Sequence, residues 1–258
     1  FGGMGQINWS PDRKMIAYTS KTLTGKAYSV STNSEIYLYD LESKETKNLT
    51  KTNHAGYDKA PVFSPDGKML AWESMRRDGY ESDKNRIFVY NFETKQETNF
   101  STDFDQNAHG LTWSNDSKEI YFTSDYHAKF QIYKLNTDNG KISQITKGRH
   151  NYRSVSPAGN VLIGSKQSMS APTEIYSIDP STGNETQLSF INKNLMDQLK
   201  FGKVEKRWIK TTDNKEMLTW VIYPPNFDKG KKYPTLLYCQ GGPQSSVSQF
   251  FSYRWNFQ

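Results

Sequence analysis

The stretch Trp9-Ser10-Pro11-Asp12 opens a pattern that returns three times along the chain and decides the fold. Proline presets φ for a tight turn, and aspartate and glycine tolerate the remaining backbone angles of the turn. Each copy therefore predicts a turn between two strands. An apolar run follows every copy, as in residues 15–19 after the first. The later copies are Phe63-Ser64-Pro65-Asp66, Trp113-Ser114-Asn115-Asp116 and the weaker Val155-Ser156-Pro157-Ala158.

A second marker follows within each repeat, and it reads as a strand that ends in Asp or Asn. A polar turn then leads to a short stretch that ends in a hydroxyl residue. Each repeat of about 40 to 50 residues therefore predicts four antiparallel strands, the size of one β-propeller blade. A blade cannot bury both faces alone, so blades are expected to stack. The strand-like stretches are residues 35–40, 86–91, 131–136 and 174–179, and the hydroxyl residues are Thr50, Ser101, Thr146 and Ser189.

The repeat predicts an all-β propeller with four recognisable blades in residues 1–195. Aromatic residues make up 14% of the 258 residues and include 16 tyrosines, and flat rings pack well on pleated sheets. The alternative, in which the turns are unrelated hairpins of a β-sandwich, stays open from the sequence.

Composition narrows the classes of partner. The net charge is +6, but 33 Lys and Arg residues are scattered among 27 acidic residues, so we expect no nucleic-acid partner. The sequence has no run of about 18 apolar residues, so we expect no membrane span. The four histidines lack metal-ligand spacing, and we predict neither a metal site nor a cofactor. Cys239 is the only cysteine, and we predict a small buried core residue there rather than a nucleophile.

The pattern changes in residues 196–258. Val204–Lys210 and residues 217–223 read as two strands of a hairpin, because a polar turn separates them. Residues 233–240 are almost continuously apolar, as expected for a strand covered on both faces of an α/β sheet. This third strand runs into Gly241-Gly242-Pro243, where glycine lets the backbone approach a developing negative charge. We therefore predict the first strands of an α/β-hydrolase domain in residues 196–258.

Three stretches of this region carry a family resemblance: Lys-Lys-Tyr-Pro-Thr-Leu-Leu-Tyr-Cys-Gln-Gly-Gly-Pro (231–243), Tyr-Pro-Pro-Asn-Phe-Asp (223–228) and Gln-Phe-Phe-Ser-Tyr-Arg-Trp-Asn-Phe (249–257). Together with the preceding propeller they resemble the prolyl oligopeptidase family of serine peptidases, and in particular its bacterial dipeptidyl peptidase V and acylaminoacyl-peptidase branch. The blade turns alone are shared by many propellers, so the join to the glycine-containing strand is the specific feature.

The resemblance implies a serine exopeptidase in which a seven-bladed propeller caps an α/β-hydrolase domain and admits short peptides. It implies release of dipeptides or acylated amino acids, no cofactor, a periplasmic or secreted location, and a homodimer through the hydrolase domain as one arrangement. In the family, a serine on a Gly-x-Ser-x-Gly elbow, an aspartate and a histidine follow the glycine turn in that order. No Gly-x-Ser-x-Gly occurs in the chain, so the resemblance places these three residues beyond Gln258.

Five residues are the candidates for substrate contact. The resemblance places Gln240 and the Gly241 backbone at the oxyanion, where an amide can donate a hydrogen bond, and a purely structural turn is the alternative. Arg254 stands alone in an aromatic stretch, so it either faces the substrate or forms a structural ion pair. Glu81 and Asp83 lie in a connection longer than a hairpin needs. They are the candidates for binding the substrate amine, and a solvated loop of mixed charge is the alternative.

A second interpretation of the whole chain is a propeller interaction module that binds a protein or glycan and carries a degenerate hydrolase appendage. The presence or absence of the serine, aspartate and histidine in the longer protein separates the two interpretations.

Overall fold

The computed structural model describes residues 6–51, 55–80, 82–239 and 245–258. These ranges contain four sheets of four antiparallel strands each, followed by one two-stranded hairpin. In every four-stranded sheet, strands adjacent in sequence are hydrogen-bonded neighbours. This up-and-down order is that of a propeller blade, so the four predicted blades are confirmed.

The strand bounds follow the two sequence markers. The first three tetrapeptides make the turn between the first and second strands of their sheets, whereas the fourth forms the end of its first strand. The second marker coincides with the third strand of each sheet. The sheets contain β1 (Ile7–Trp9), β2 (Met15–Ser20), β3 (Glu35–Asp40) and β4 (Thr46–Asn48); β5 (Asp58–Phe63), β6 (Met69–Ser74), β7 (Arg86–Asn91) and β8 (Gln96–Asn99); β9 (His109–Trp113), β10 (Glu119–Asp125), β11 (Phe130–Asn136) and β12 (Ile142–Gln144); and β13 (Asn151–Ala158), β14 (Val161–Ser168), β15 (Ala171–Ile178) and β16 (Glu185–Gln187). The remaining elements are the short helices α1 (Gly25–Val30) and α2 (Lys193–Met196) and the hairpin strands β17 (Val204–Lys210) and β18 (Glu216–Ile222).

The first three tetrapeptide turns are held by their own serine and aspartate. The Ser10 hydroxyl donates to the Asp12 carboxylate at 2.6 Å and accepts from the Met15 amide at 2.8 Å. The same pair of bonds recurs in the second and third turns, at Ser64 and Ser114. The serine therefore joins the aspartate of the turn to the start of the second strand.

The fourth copy of the tetrapeptide forms a different turn because Ala158 stands where the others have aspartate. Without that side chain the two strands stay paired up to Ala158 and Val161, and Gly159 turns the chain at a φ of 60°. A φ in this region favours glycine. The shorter turn lengthens β13 and β14 to eight residues each, which explains why the repeat is weakest there.

The hydroxyl residue near the end of each repeat bonds to the third strand of its own sheet. Thr146 Oγ1 accepts from the Ile132 amide at 2.9 Å, across 14 positions of sequence. This satisfies a backbone donor at the point where the short fourth strand ends. The same bond, at the same spacing, links Thr50 to Ile36, Ser101 to Ile87 and Ser189 to Ile175.

Apolar side chains fill the spaces between neighbouring sheets. Between the first and second sheets Leu38 packs with Trp72, which is fully buried. A cluster around Trp113 and Phe122 joins the second sheet to the third, and a cluster around Tyr152 joins the third to the fourth. Consecutive sheets thus cover each other's facing sides, as the repeat predicted.

The hairpin after the fourth sheet agrees with the prediction, but the third predicted strand does not form over its described part. β17 and β18 pair from Val204 opposite Ile222 to Lys210 opposite Glu216. Residues 233–239 contain no strand, and Leu236 is 97% exposed. An apolar run becomes a buried strand only when other strands pair with it and helices cover it, and no described strand pairs with this one. The prediction that Cys239 is buried is wrong for the same reason, since it is exposed.

Candidate functional site

Two of the predicted residues, Asp83 and Arg254, lie in segments at the same end of the propeller. The connections between the second and third strands of all four sheets emerge at the same end, because the strands of a meander alternate in direction. We call this end the loop face; its connections are residues 21–34, 75–85, 126–129 and 169–170. Residues 245–258 also lie there, since Gln258 Nε2 donates to Ser170 Oγ at 2.8 Å and the Phe251 amide donates to Gln167 Oε1 at 3.4 Å. The connection predicted to bind an amine and the chain that follows Gly241-Gly242-Pro243 in sequence therefore share one end of the propeller.

Asp83 is paired with an arginine of its own connection. Its carboxylate accepts from Arg77 Nε at 3.1 Å and from Arg77 Nη2 at 3.0 Å. The Asp83 side chain is only 10% exposed, and the hydrogen bonds from Arg77 hold the pKa of Asp83 below its usual range. The negative charge of Asp83 is thus already paired with the positive charge of Arg77 within the same loop. Its predicted companion, Glu81, lies outside the described residues.

Asp78 ties this connection to the loop of the first sheet. Its carboxylate accepts from Ser31 Oγ at 2.8 Å and from the Thr32 amide at 2.6 Å, and the Gly79 amide donates to Thr32 Oγ1 at 2.9 Å. Burial alone would raise the pKa of Asp78, but the bonds from Ser31 and Thr32 outweigh burial and lower it. The two connections therefore form one ridge on the loop face. Sequence reasoning missed Asp78, although Asp-Gly in a long connection was an available signal.

Glu73 is a buried carboxylate at the loop-face end of β6. It is 5% exposed, and its two oxygens accept from the Gly110 amide and from Asn85 Nδ2, each at 2.7 Å. Lys59 Nζ lies 3.7 Å from the same carboxylate. With these partners Glu73 joins the second sheet to the third, and its hydrogen bonds are directed into the protein.

Arg254 is exposed and lies over an aromatic ring of its own stretch. Its guanidinium lies 5.1 Å from the centre of the Trp255 ring, and its backbone amide donates to Ser252 Oγ at 3.2 Å. Among the described residues, no carboxylate forms an ion pair with Arg254. The guanidinium can therefore meet a ligand at the loop face.

His150 lies between the third and fourth sheets and acts as a packing group. Its ring is edge-on to Tyr152 at 5.2 Å, and its Nε2 lies 3.6 Å from Glu185, which also pairs with Lys166. Burial lowers the pKa of His150 to about 4, although Glu185 opposes the shift. The imidazole is therefore neutral at neutral pH and is a weak base.

The predicted oxyanion residues Gln240 and Gly241 lie outside the described residues. Within the described ranges, no three His, Cys, Asp or Glu side chains are grouped so that they could hold a metal ion. No helix in those ranges is long and apolar enough to cross a membrane.

Comparison with known proteins identifies both the repeat and the resemblance. The profile of the TolB beta propeller domain family, PD40, matches residues 6–197. Dipeptidyl-peptidase 5 of Porphyromonas gingivalis is 46% identical over 258 residues, which is the whole of this chain and 38% of that protein. Dipeptidyl-peptidase 5 of Porphyromonas endodontalis is 49% identical over 247 residues, or 96% of this chain and 36% of that protein.

A solved structure supports the same fold. Acylaminoacyl peptidase of Pyrococcus horikoshii matches with a TM-score of 0.72 at 20% identity, over 99% of this chain and 37% of that one. This chain thus spans little more than a third of the length of these relatives. The resemblance to the prolyl oligopeptidase family is confirmed by the dipeptidyl-peptidase relatives. The match over residues 6–197 shows that the chain belongs to the TolB β-propeller domain family.

Proposed function

We propose that this chain is part of a serine exopeptidase that releases dipeptides or acylated amino acids from short peptides. One observation carries the proposal: dipeptidyl-peptidase 5 of Porphyromonas gingivalis matches the whole chain, from the blades through the Gly241-Gly242-Pro243 stretch. A propeller interaction module with a degenerate hydrolase appendage would share this similarity, and the serine, aspartate and histidine of the longer protein separate the two. The similarity also covers the segment in which the hydrolase domain is proposed to begin.

In this proposal residues 1–195 form four blades of a seven-bladed propeller, and residues 196–258 begin the α/β-hydrolase domain. Gln240 and the Gly241 backbone donate hydrogen bonds to the oxyanion, while the serine, aspartate and histidine belong to sequence outside these 258 residues. The serine attacks the peptide carbonyl, the leaving amine departs, and water hydrolyses the acyl-enzyme. Loss of one oxyanion donor is expected to cost about 3 to 4 kcal/mol of transition-state stabilisation.

The loop face supports a role in substrate selection. The ridge built by Asp78 and the exposed guanidinium of Arg254 lie at the end of the propeller that carries residues 245–258. We propose that this end faces the reaction site, so that the propeller admits short peptides and excludes folded proteins. Glu81 is the stronger candidate for binding the substrate amine, because Asp83 is already neutralised by Arg77. Arg254 is proposed to contact the substrate.

Short peptides are the proposed partners, and a periplasmic or secreted location follows from the family resemblance. A homodimer through the hydrolase domain belongs to the same proposal.

The proposal is tested on the full-length protein with fluorogenic dipeptide amides that carry either a free or a blocked amine. We expect turnover that a serine-directed phosphonate abolishes. Glu81→Gln should raise KM for the free-amine substrate and leave KM for the blocked substrate unchanged, whereas Asp103→Asn, at an exposed carboxylate, should change neither. A protein that turns over no peptide and takes up no phosphonate would instead be the non-catalytic propeller module.

A further inference from the structure

Asn151 lies where two blades meet the chain that follows Gly241-Gly242-Pro243 in sequence. It is the first residue of β13 and is 4% exposed. Its Oδ1 accepts from the Phe130 amide of the third sheet at 3.0 Å, and its Nδ2 donates to Ser248 Oγ at 2.9 Å. Both ends of one side-chain amide are therefore used. An apolar side chain would make neither bond, and a carboxylate would require Ser248 to donate instead of accept.

Ser248 belongs to a stretch that lies on the fourth sheet, and we call residues 247–258 the docking segment. Gln249 is 2% exposed, and its Oε1 accepts from the Met169 amide at 3.4 Å. The contacts of Phe251 with Gln167 and of Gln258 with Ser170 continue along the same edge. The docking segment is thus held to one blade at several points along its length.

The docking segment also holds the hairpin β17–β18. Trp220 Nε1 donates to the Val247 carbonyl at 3.0 Å, and the Gly202 amide donates to Gln258 Oε1 at 2.9 Å. The segment therefore lies between the fourth sheet and the hairpin and bonds to both. We therefore expect a change at its contact with the propeller to shift its position relative to the hairpin.

We propose that Asn151 and Ser248 are positioning residues, through which the propeller fixes the chain that leads out of Gly241-Gly242-Pro243 and so sets the oxyanion donor against the substrate. This inference rests on the peptidase function proposed above. Ser248 follows Pro243 by five positions, so little chain is available to absorb a displacement. A misplacement of about 1 Å in a reacting group can lower a rate about 100-fold.

The decisive variant is Ser248→Ala in the full-length protein, because it removes the acceptor for Asn151 Nδ2 and little volume. We expect kcat to fall about 10- to 100-fold, with KM changed less than about threefold, as for an interaction used in the transition state. Ser248→Thr keeps the hydroxyl and should retain most of kcat, while Ser248→Cys, a weaker acceptor, should fall between Thr and Ala. Ser154→Ala is the matched control, since its hydroxyl bonds Ser165 on the exposed side of the same sheet.

A second readout separates positioning from simple loss of structure. A peptide aldehyde forms a tetrahedral adduct that needs the oxyanion donor, whereas the dipeptide product does not. In Ser248→Ala we expect aldehyde affinity to fall in parallel with kcat and product affinity to stay at the wild-type value.

Two results would overturn the inference alone: an active wild-type protein whose Ser248→Ala variant keeps its kcat, or a variant that loses aldehyde and product affinity equally. A wild-type protein without turnover would overturn the proposed function, and this inference with it.

Discussion

Thr146→Val tests whether the repeated hydroxyl bonds hold the blades together. Thr146 is fully buried; its Oγ1 accepts from the Ile132 amide at 2.9 Å and donates to Gln131 Oε1 at 2.9 Å. Valine keeps the shape of the side chain but leaves a buried donor and a buried acceptor without partners. Each such group costs about 1 to 3 kcal/mol, and the added methyl group returns about 1 kcal/mol. We therefore expect the free energy of unfolding to fall by about 1 to 5 kcal/mol.

Denaturant unfolding and amide hydrogen exchange at Ile132 measure the effect of Thr146→Val. Exchange at this amide should become faster by the factor that corresponds to the lost free energy. Thr137→Val is the control, because Thr137 Oγ1 donates to the Lys118 carbonyl at 2.9 Å in an exposed setting, and it should change stability by no more than about 0.5 kcal/mol. Equal effects of the two variants, or unchanged protection at Ile132, would refute the assignment.

Three further predictions concern the blades and the loop face. Burial lowers the pKa of His150 from 6.5 to about 4. The stability that depends on its neutral ring is therefore complete above pH 6.5 and falls by up to about 3 kcal/mol as the pH drops toward 4. His150→Gln should flatten this part of the pH profile of the unfolding midpoint, and an unchanged profile would contradict the prediction. Gly164→Ala should destabilise the fold by about 1 to 3 kcal/mol and lower the Tm, because the new Cβ would lie 2.7 Å from Tyr152 Cε1. An unchanged Tm would contradict this and would mean that the tyrosine ring moves aside without cost. Asp83→Asn weakens the ion pair with Arg77, so proteolysis and hydrogen exchange within residues 75–85 should become faster. The global free energy of unfolding should change by less than about 1 kcal/mol. Unchanged exchange in this connection would show that the ion pair does not order the loop.

The blades could be predicted from the sequence because their signals are local. A turn such as Ser10 to Met15 is closed by bonds between residues only a few positions apart, so its sequence nearly determines its shape. Each hydroxyl residue keeps a fixed spacing from the third strand for a physical reason, since each accepts a hydrogen bond from the amide 14 positions earlier. The one weak copy, at Ala158, is also the one whose turn differs.

The candidate site could be predicted only in part because its contacts are long-range. Asn151 and Ser248 are 97 positions apart, and neither carries a sequence signal. The pairing of Asp83 with Arg77 depends on how the loop folds back on itself. Residues 233–239 show the limit most clearly, because their apolar pattern predicts a strand whose neighbours are not among the described residues. Apolar periodicity reports which residues can be buried, and it does not supply the partners that bury them.

The most direct measurement of the proposed activity is the length of the products that the full-length protein releases from peptides. Synthetic peptides of increasing length, with free and with acylated amino ends, are incubated with the protein, and the products are identified by mass spectrometry. We predict dipeptides or acylated amino acids released one after another from the amino end of short peptides, and no cleavage of a folded protein. Internal fragments, or intact peptides after prolonged incubation, would contradict an exopeptidase capped by this propeller.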